Sequence, residues 1–345
     1  MDKQKNLKNN IALNCESESS DFFASNNYHN SVLDRGISSP ETGDNDNTIS
    51  MPENQKKKSM FSSKRFLVNI IVVIALALFV GVQGGLFYLD TFVKSYAPPS
   101  IAEVSIRDDS LAIYASSVGK SPEQLSALNA AIVADYMLTN STSVKKVTSG
   151  NIVAMGVTQK MAAKKIRVGD HIYTEKLSTG LLSVGNAFHH TLGSDLFEFY
   201  TGSSVTLSGA TWPSSPSYTW NYDTYIDHFR SKPEYFINYI ISSYTVHAAT
   251  MSKLPDGTFK ISLDLDAVYS VLNYVYEIRE TSGSSKFPNF KSVHLDMVID
   301  SSYRVLTLDI DETYDVAVVQ LGGGYVETHA VIHEVFTYEG VTIDG

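Results

Sequence analysis

Cysteine is almost absent from this chain of 345 residues, since Cys15 is the only one. One cysteine cannot form an internal disulfide, nor can it supply the clustered thiolates of a zinc or iron–sulfur site. A secreted eukaryotic domain of this size commonly carries disulfides, so their exclusion favours a Gram-positive bacterial envelope domain. The residues before Cys15 form no apolar export core, which argues against lipidation at this cysteine.

Basic residues are scarce after position 65. The whole chain has 27 Lys/Arg and 37 Asp/Glu, and residues 1–65 hold nine of each, so residues 66–345 hold 18 basic and 28 acidic side chains. This acidic surplus disfavours binding to nucleic acid, whose phosphates attract basic surfaces. We therefore expect no nucleic-acid partner.

Catalytic and cofactor motifs are also missing. Ser183 has no glycine two positions before it, as a nucleophile elbow requires. The three glycines at 322–324 fit a hairpin turn, because no helix pattern follows them to hold a phosphate. The sequence thus predicts no cofactor and no enzymatic activity.

One long apolar segment is present. Residues 66–89 contain no charged side chain, and as a helix they would extend roughly 36 Å, enough to cross the hydrocarbon core of a bilayer. A cleaved signal peptide would be shorter and closer to the start of the chain. The pattern predicts a transmembrane helix whose anchor residues include Phe66, Ile70, Ile74, Leu78, Phe87 and Tyr88.

Flanking charge predicts the orientation of this segment. Five basic residues lie between positions 56 and 65, whereas Lys94 alone lies close to the other end. The positive-inside rule then predicts a single-pass protein of the cell membrane, with residues 1–65 in the cytoplasm and the C-terminal domain extracellular. Eleven Ser and ten Asn make residues 1–65 a predicted disordered tail, either a solvated spacer or a partner-binding segment.

The folded part is predicted at residues 121–340, after a stalk and connector at 90–120. Ser121, Pro122 and Gln124 have the pattern of a capping box and predict a helix start. Other helices are expected near Asp223, at Pro233 and from Asp266 to about 278. Alternation of apolar and polar residues predicts strands at 147–158, 161–168, 171–178, 195–200, 203–208, 216–222, 240–252 and 258–263, and three closing strands between about 293 and 338.

The C-terminal pattern resembles a known family. It combines LDLD at 263–266, an aromatic helix at 268–278, FPNF at 287–290, VHLDMVID at 293–300 and LTLDIDE at 306–312. This order of strand, helix, loop and strands, over residues 245–340, is similar to that of Gram-positive outer-surface domains built on the half-barrel of the LolA and LppX/LprG lipoprotein carriers. The resemblance implies an α+β fold in which a strongly curved antiparallel sheet and a few helices enclose a hollow for an acyl chain or another apolar ligand.

Aromatic residues concentrate between positions 209 and 239, where nine occur in 31 positions. Such a segment can cover an apolar pocket or stack on a ligand, and the alternative is ordinary packing onto the sheet. The candidate ligand-binding residues are Trp212, Trp220, Tyr222, Tyr225 and Phe229.

Histidine and aspartate patterns do not predict a metal site. His329 and His333 fall on one strand, where four residues separate them by roughly 13 Å, too far to share an ion. His189 and His190 are adjacent, and we expect them in a loop or at an edge. We expect four aspartates to be solvent-exposed, either on strand faces or at a helix cap: Asp264, Asp266, Asp309 and Asp311.

The leading functional hypothesis is a non-enzymatic envelope protein at the surface of the lipid bilayer. Its outer domain would bind a lipid-like, apolar ligand or a partner protein of the envelope. The alternative is a structural subunit of an envelope or secretion assembly, because some type IV secretion components combine a tail, one membrane helix and a cone-shaped α+β domain.

Overall fold

Thirteen strands and four α-helices occur in the part of the chain that the computed structural model describes, which is residues 96–99, 109–180, 183–282, 286–318 and 324–343. The helices are α1 (Ser110–Ser117), α2 (Ala127–Thr139), α3 (Tyr222–Phe229) and α4 (Leu272–Ser282). The strands are β1 (Ser143–Ala154), β2 (Val157–Val168), β3 (His171–Thr179), β4 (Val184–Thr191), β5 (Leu196–Thr201), β6 (Ser203–Thr206), β7 (Gly209–Thr211), β8 (Tyr218–Trp220), β9 (Val246–Lys253), β10 (Phe259–Leu265), β11 (Asn289–Ile299), β12 (Val305–Val318) and β13 (Gly324–Thr337).

Eleven of these strands form one antiparallel sheet in the order β8-β5-β4-β3-β2-β1-β13-β12-β11-β10-β9. The chain winds outward from β1 to β5 and β8, crosses to the other edge at β9, and winds back until β13 pairs with β1. The first and last strands therefore meet in the middle of the sheet. Strands β6 and β7 form a separate hairpin.

One face of the sheet, called the inner face here, carries the main core. In β10, Phe259, Ile261, Leu263 and Leu265 are buried while Asp264 is exposed, as a two-residue period requires. Helix α2 contacts β9, β10 and β12, and Phe236, Ile237, Tyr239 and Ile241 join the same core. The opposite face, called the outer face, is largely polar along β10 to β13.

The predicted α+β class with a large antiparallel sheet is confirmed, and so are the three closing strands. The capping box of Ser121 and Gln124 is present, but it opens a 3₁₀ turn at Pro122–Gln124. The α-helix begins later, at Ala127, because the Ser126 side chain accepts a hydrogen bond from the Asn129 amide and caps it there.

Other predicted elements are wrong or begin at a different residue. Strand β4 was not predicted, and no helix forms at Pro233. Residues 240–245 form no strand, so the strand expected at 240–252 begins only at Val246. The helix expected from Asp266 begins at Leu272, although Asp266 does cap a turn by accepting from the amides of Val268 and Tyr269. Helix α1 lies in the predicted connector and packs on α2.

The transmembrane, single-pass prediction requires correction. Within the described ranges, no helix has both the length and the apolar character needed to cross a bilayer. The longest described helix, α2, has 13 residues and measures about 20 Å, short of the roughly 30 Å hydrocarbon core. The predicted span at 66–89, with all of its anchor residues, and the predicted tail at 1–65 lie outside the described residues.

Candidate functional site

A chamber of about 70 Å³ lies on the inner face near the middle of the sheet. Strands β1, β2, β3 and β13 form one wall, and the segment 238–239 and helix α4 form the other. Its lining is unusually charged for the inner side of a sheet, with three amines from the sheet wall and one carboxylate from each wall. The charged residues that line it from the inner side are Lys146, Lys165, Lys176, Glu277 and Glu334. Lys164 also lines it, but alternates to the outer face and pairs with Glu175 there.

Strand register brings the three lysines to this chamber. Lys146 on β1 is the direct cross-strand partner of Lys165 on β2. Lys176 on β3 is the partner of Ala163, two residues from Lys165. Because side chains alternate between faces, these three amines point to the same side as the buried residues Val144 and Thr148.

Lys146 is balanced by a buried carboxylate. Its Nζ lies 2.7 Å from Glu334 Oε1, and the two side chains are only 8% and 6% exposed. The same amine donates to the carbonyl of Phe236 at 2.6 Å, and Thr148 Oγ1 donates to Glu334 Oε1 at 3.2 Å. This pair joins β1 to β13 and holds the segment near residue 236 over the sheet.

Lys176 has its own carboxylate on helix α4. The Lys176 amine forms an ion pair with Glu277, and both side chains are about one-quarter exposed. Burial works to raise the pKa of Glu277, but the amines of Lys176, Lys165 and Lys146 outweigh it and lower the pKa below its usual range. Glu277 is therefore ionised at neutral pH.

Lys165 lacks such a carboxylate. Its half-buried Nζ donates to the carbonyl of Tyr235 at 2.5 Å and lies 5.0 Å from the centre of the Phe236 ring, but it forms no ion pair with any described residue. Burial, with the positive charges of Lys146 and Lys176, lowers the pKa of Lys165 to about 7. The chamber thus holds three amines and two carboxylates, and Lys165 is the amine in surplus.

Two buried carboxylate oxygens in this region have no hydrogen-bond partner among the described residues. One is Glu334 Oε2, in the chamber wall, and the other is Glu312 Oε1. Glu312 lies deeper, and its other oxygen accepts from the Tyr239 hydroxyl. Burial raises the pKa of Glu312 to about 8, so this carboxyl group is mostly protonated at neutral pH and adds little negative charge.

The predicted aromatic ligand-binding residues do not form one group. Trp220, Tyr225 and Phe229 contact each other's rings, and Tyr222 joins them through Phe197. Trp212 instead packs with Ile166, Tyr173 and Ala187 in a separate small cluster. The four grouped rings pack mainly on one another at the β5–β8 edge, and their role in ligand binding stays a prediction.

The histidines and aspartates lie where strand geometry places them. On the outer face, His294, His329 and His333 are each bonded to an aspartate, at 2.6, 2.9 and 2.5 Å from Asp264, Asp311 and Asp309 respectively. The described ranges contain no group of three or more His, Cys, Asp or Glu placed to hold a metal. The expectation of solvent-exposed aspartates is confirmed for Asp264, Asp309 and Asp311.

The loop or edge expected at His189 and His190 is wrong, since both lie inside β4, between β3 and β5. His190 is buried against Phe188, Phe197 and Tyr225. Neither of its ring nitrogens has a hydrogen-bond partner among the described residues, and burial lowers its pKa well below the usual range. This imidazole is therefore neutral and acts as an aromatic core residue.

Sequence analysis missed the chamber, although the sequence contains a signal for it. Lys164-Lys165 is an adjacent pair inside the strand predicted at 161–168, and Lys145-Lys146 is a second pair just before the strand predicted at 147–158, within the observed β1. In a strand with one buried face, one member of each pair has to point inward. A two-lysine run in a strand therefore indicates a charged group on the inner face.

Comparison with known proteins shows only a distant likeness. No family model and no curated protein matches the sequence. The crystal structure of a DUF1329 family protein from Desulfovibrio piger matches 63% of this chain and 93% of its own chain, at 12% identity and a TM-score of 0.24. A likeness at that score carries no argument about function, so the function has to be argued from the chamber itself.

Proposed function

We propose that this protein is a non-enzymatic binding protein of the cell envelope whose chamber takes the acidic head of a small ligand. The observation that carries the proposal is the surplus amine of Lys165 beside two amines that are already paired with carboxylates. An anionic head, such as a carboxylate or phosphate, would supply the missing negative charge. Binding it would also satisfy the Lys165 N–H groups that do not bond to Tyr235.

The size and polarity of the chamber argue against an acyl chain inside it. At about 70 Å³ it is far smaller than the roughly 300 Å³ at which pockets for drug-sized ligands begin. The core next to it is filled by side chains such as Ile261, Leu263 and Leu295, which are fully buried. The ligand head therefore enters the chamber, and any apolar part of the ligand stays outside it. We also propose that the sheet is strongly curved around this chamber.

A titration of the purified full-length protein with acetate, inorganic phosphate and octanoate tests the proposal. We expect calorimetric binding of at least one of these anions at pH 6.5, and its loss in the variant Lys165→Met. Lys160→Met is the matched control, because Lys160 lies on the same strand but is exposed and outside the chamber. Equal binding by the wild type and Lys165→Met, or no binding of any anion, would overturn the proposal.

A second candidate function, a structural subunit of an envelope assembly, rests on a different surface. Four valines are exposed on the outer face where β1 meets β13: Val147, Val153, Val331 and Val335 are between 38% and 50% exposed. Val147 and Val335 are direct cross-strand partners. A partner would contact these exposed valines in the middle of the sheet, where Ser149 and His333 separate Val147 and Val335 from Val153 and Val331. Val335→Lys should then abolish co-purification of an envelope partner without changing anion binding.

A further inference from the structure

Glu334 Oε2 is a buried oxygen in the chamber wall that lacks a hydrogen-bond donor from the part of the chain that the structure describes. The first oxygen of this carboxylate is occupied by Lys146 and Thr148. The second is inaccessible to solvent and has no partner among the described residues, and Glu334 is 4% exposed. A buried carboxylate oxygen without a donor is costly, so such groups in folded proteins normally meet a donor from protein, water or ligand.

Glu334 shares the chamber with Lys165, whose amine bonds to a backbone carbonyl but forms no ion pair with a described residue. Glu334 is on β13, Lys146 and Thr148 are on β1, and Lys165 is on β2, so one strand separates Glu334 from Lys165. Both residues line the same chamber. Within the described ranges, one wall thus contains a lysine amine without an ion-pair partner, at Lys165, and a carboxylate oxygen without a donor, at Glu334.

We infer that the ligand head carries a hydroxyl or amino group next to its acidic group. The acid binds Lys165, and the hydroxyl or amino hydrogen is donated to Glu334 Oε2. This inference rests on the proposed anion site and narrows the ligand to a small hydroxylated or amino-bearing acid. A simple carboxylate satisfies only Lys165 and leaves the Glu334 oxygen without a donor.

The test compares acids that differ in one hydroxyl group, by calorimetry on the full-length protein at pH 6.5. The pairs are acetate with glycolate, and propanoate with 3-hydroxypropanoate. One hydrogen bond to a charged acceptor corresponds to an affinity gain of about tenfold or more. We expect the hydroxylated acid of at least one pair to bind that much more tightly. Equal affinities within both pairs would show that water satisfies Glu334 and would overturn the inference while leaving the anion site intact.

A substitution of Glu334 tests whether its carboxylate causes the preference for the hydroxylated acid. In Glu334→Gln the acceptor loses its charge, so we expect the preference for the hydroxylated acid to fall to about twofold or less, while acetate still binds. Preference that persists in a folded Glu334→Gln protein would contradict the assignment to this oxygen. If this variant does not fold, the comparison of the paired acids on the wild-type protein tests the inference by itself. If no acid of either pair binds the wild type, the proposed anion site fails as well.

Discussion

Lys146 and Lys165 face each other as direct cross-strand partners on the inner face of the sheet, yet only Lys146 has a carboxylate partner. Like charges at directly opposed positions destabilise a sheet. The two amines also bond to consecutive carbonyls, those of Phe236 and Tyr235. The chain therefore holds two adjacent amines beneath one loop and, among the described residues, gives a carboxylate partner to only one of them.

This difference predicts unequal costs for two equivalent substitutions. Lys146→Met leaves the Glu334 carboxylate buried without its cation, and breaking a buried ion pair in this way costs about 3–5 kcal/mol of unfolding free energy. Lys165→Met removes no carboxylate partner and relieves the repulsion, so we expect it to cost at least about 2 kcal/mol less. Urea unfolding of both variants at pH 7 measures the difference, and equal losses would contradict it.

Glu312 predicts an unusual dependence of stability on pH. The pKa of this buried carboxyl rises from 4.5 to about 8 on folding. Its stabilising contribution is then fully present below pH 4.5 and is lost as pH rises toward 8, because the folded state binds the proton more tightly. The glutamine in Glu312→Gln has no such proton to lose, so the stability of this variant should not fall in this way. The unfolding free energy of the variant minus that of the wild type should therefore increase by up to about 1.4 kcal/mol per pH unit between pH 5 and 8.

Unfolding titrations of the two proteins at pH 5, 6, 7 and 8 check this expectation. The measured quantity is the difference in unfolding free energy between variant and wild type, so other titrating groups cancel to first order. A difference that stays constant across these pH values would mean that Glu312 is ionised in the folded protein.

Alternation along the closing strands made that part of the fold predictable. In β10, β11 and β12 a shift of one residue would expose every apolar side chain, so the hydrophobic pattern determines the register. Leu263, Leu295 and Leu308 accordingly lie in the core, and Asp264 and Asp309 lie outside. The sequence therefore determines both the faces and the antiparallel pairing there.

Strand β4 could not be recognised in this way because both of its faces are covered. Asn186, Ala187 and Phe188 are buried in succession, so no alternation is visible. The β6–β7 hairpin lies over its outer face: a Cβ at Gly185 would come within 2.9 Å of the Val205 side chain. This cover comes from residues about 20 positions away, and local sequence contains no sign of it.

The candidate site was hidden for a related reason. A lysine in a strand is ordinarily assigned to the wet face, and nothing near Lys165 in sequence shows that Tyr235, some 70 residues later, will cover it. The helix predicted at Pro233 is absent at the same place, where the carbonyls of Tyr235 and Phe236 accept hydrogen bonds from lysine amines. The aromatic segment was recognisable by composition, but its separation into two clusters depends on the sheet.

The pKa of Lys165 predicts how anion binding responds to pH. In the free protein this pKa is lowered to about 7, and a bound anion raises it because the negative charge favours the protonated amine. Above pH 7 binding must therefore take up a proton, so we expect the dissociation constant to rise up to about tenfold per pH unit between pH 7.5 and 9. Calorimetry in two buffers of different ionisation enthalpy measures the proton uptake directly. A pH-independent dissociation constant with no proton uptake would exclude Lys165 as the binding amine.

The outer face offers a prediction that is independent of the chamber. A hydrogen bond to Asp264 is the largest factor that raises the pKa of His294, and Asp296 adds to it. Asp264→Asn should lower this pKa toward its ordinary value, while Asp309→Asn, which removes the partner of His333, should leave it unchanged. Both pairs are largely exposed, so neither substitution should change the unfolding free energy by more than about 1 kcal/mol. NMR titration of the histidine ring protons in the three proteins tests this, and an equal shift of His294 in both variants would indicate a long-range charge effect in place of the direct bond.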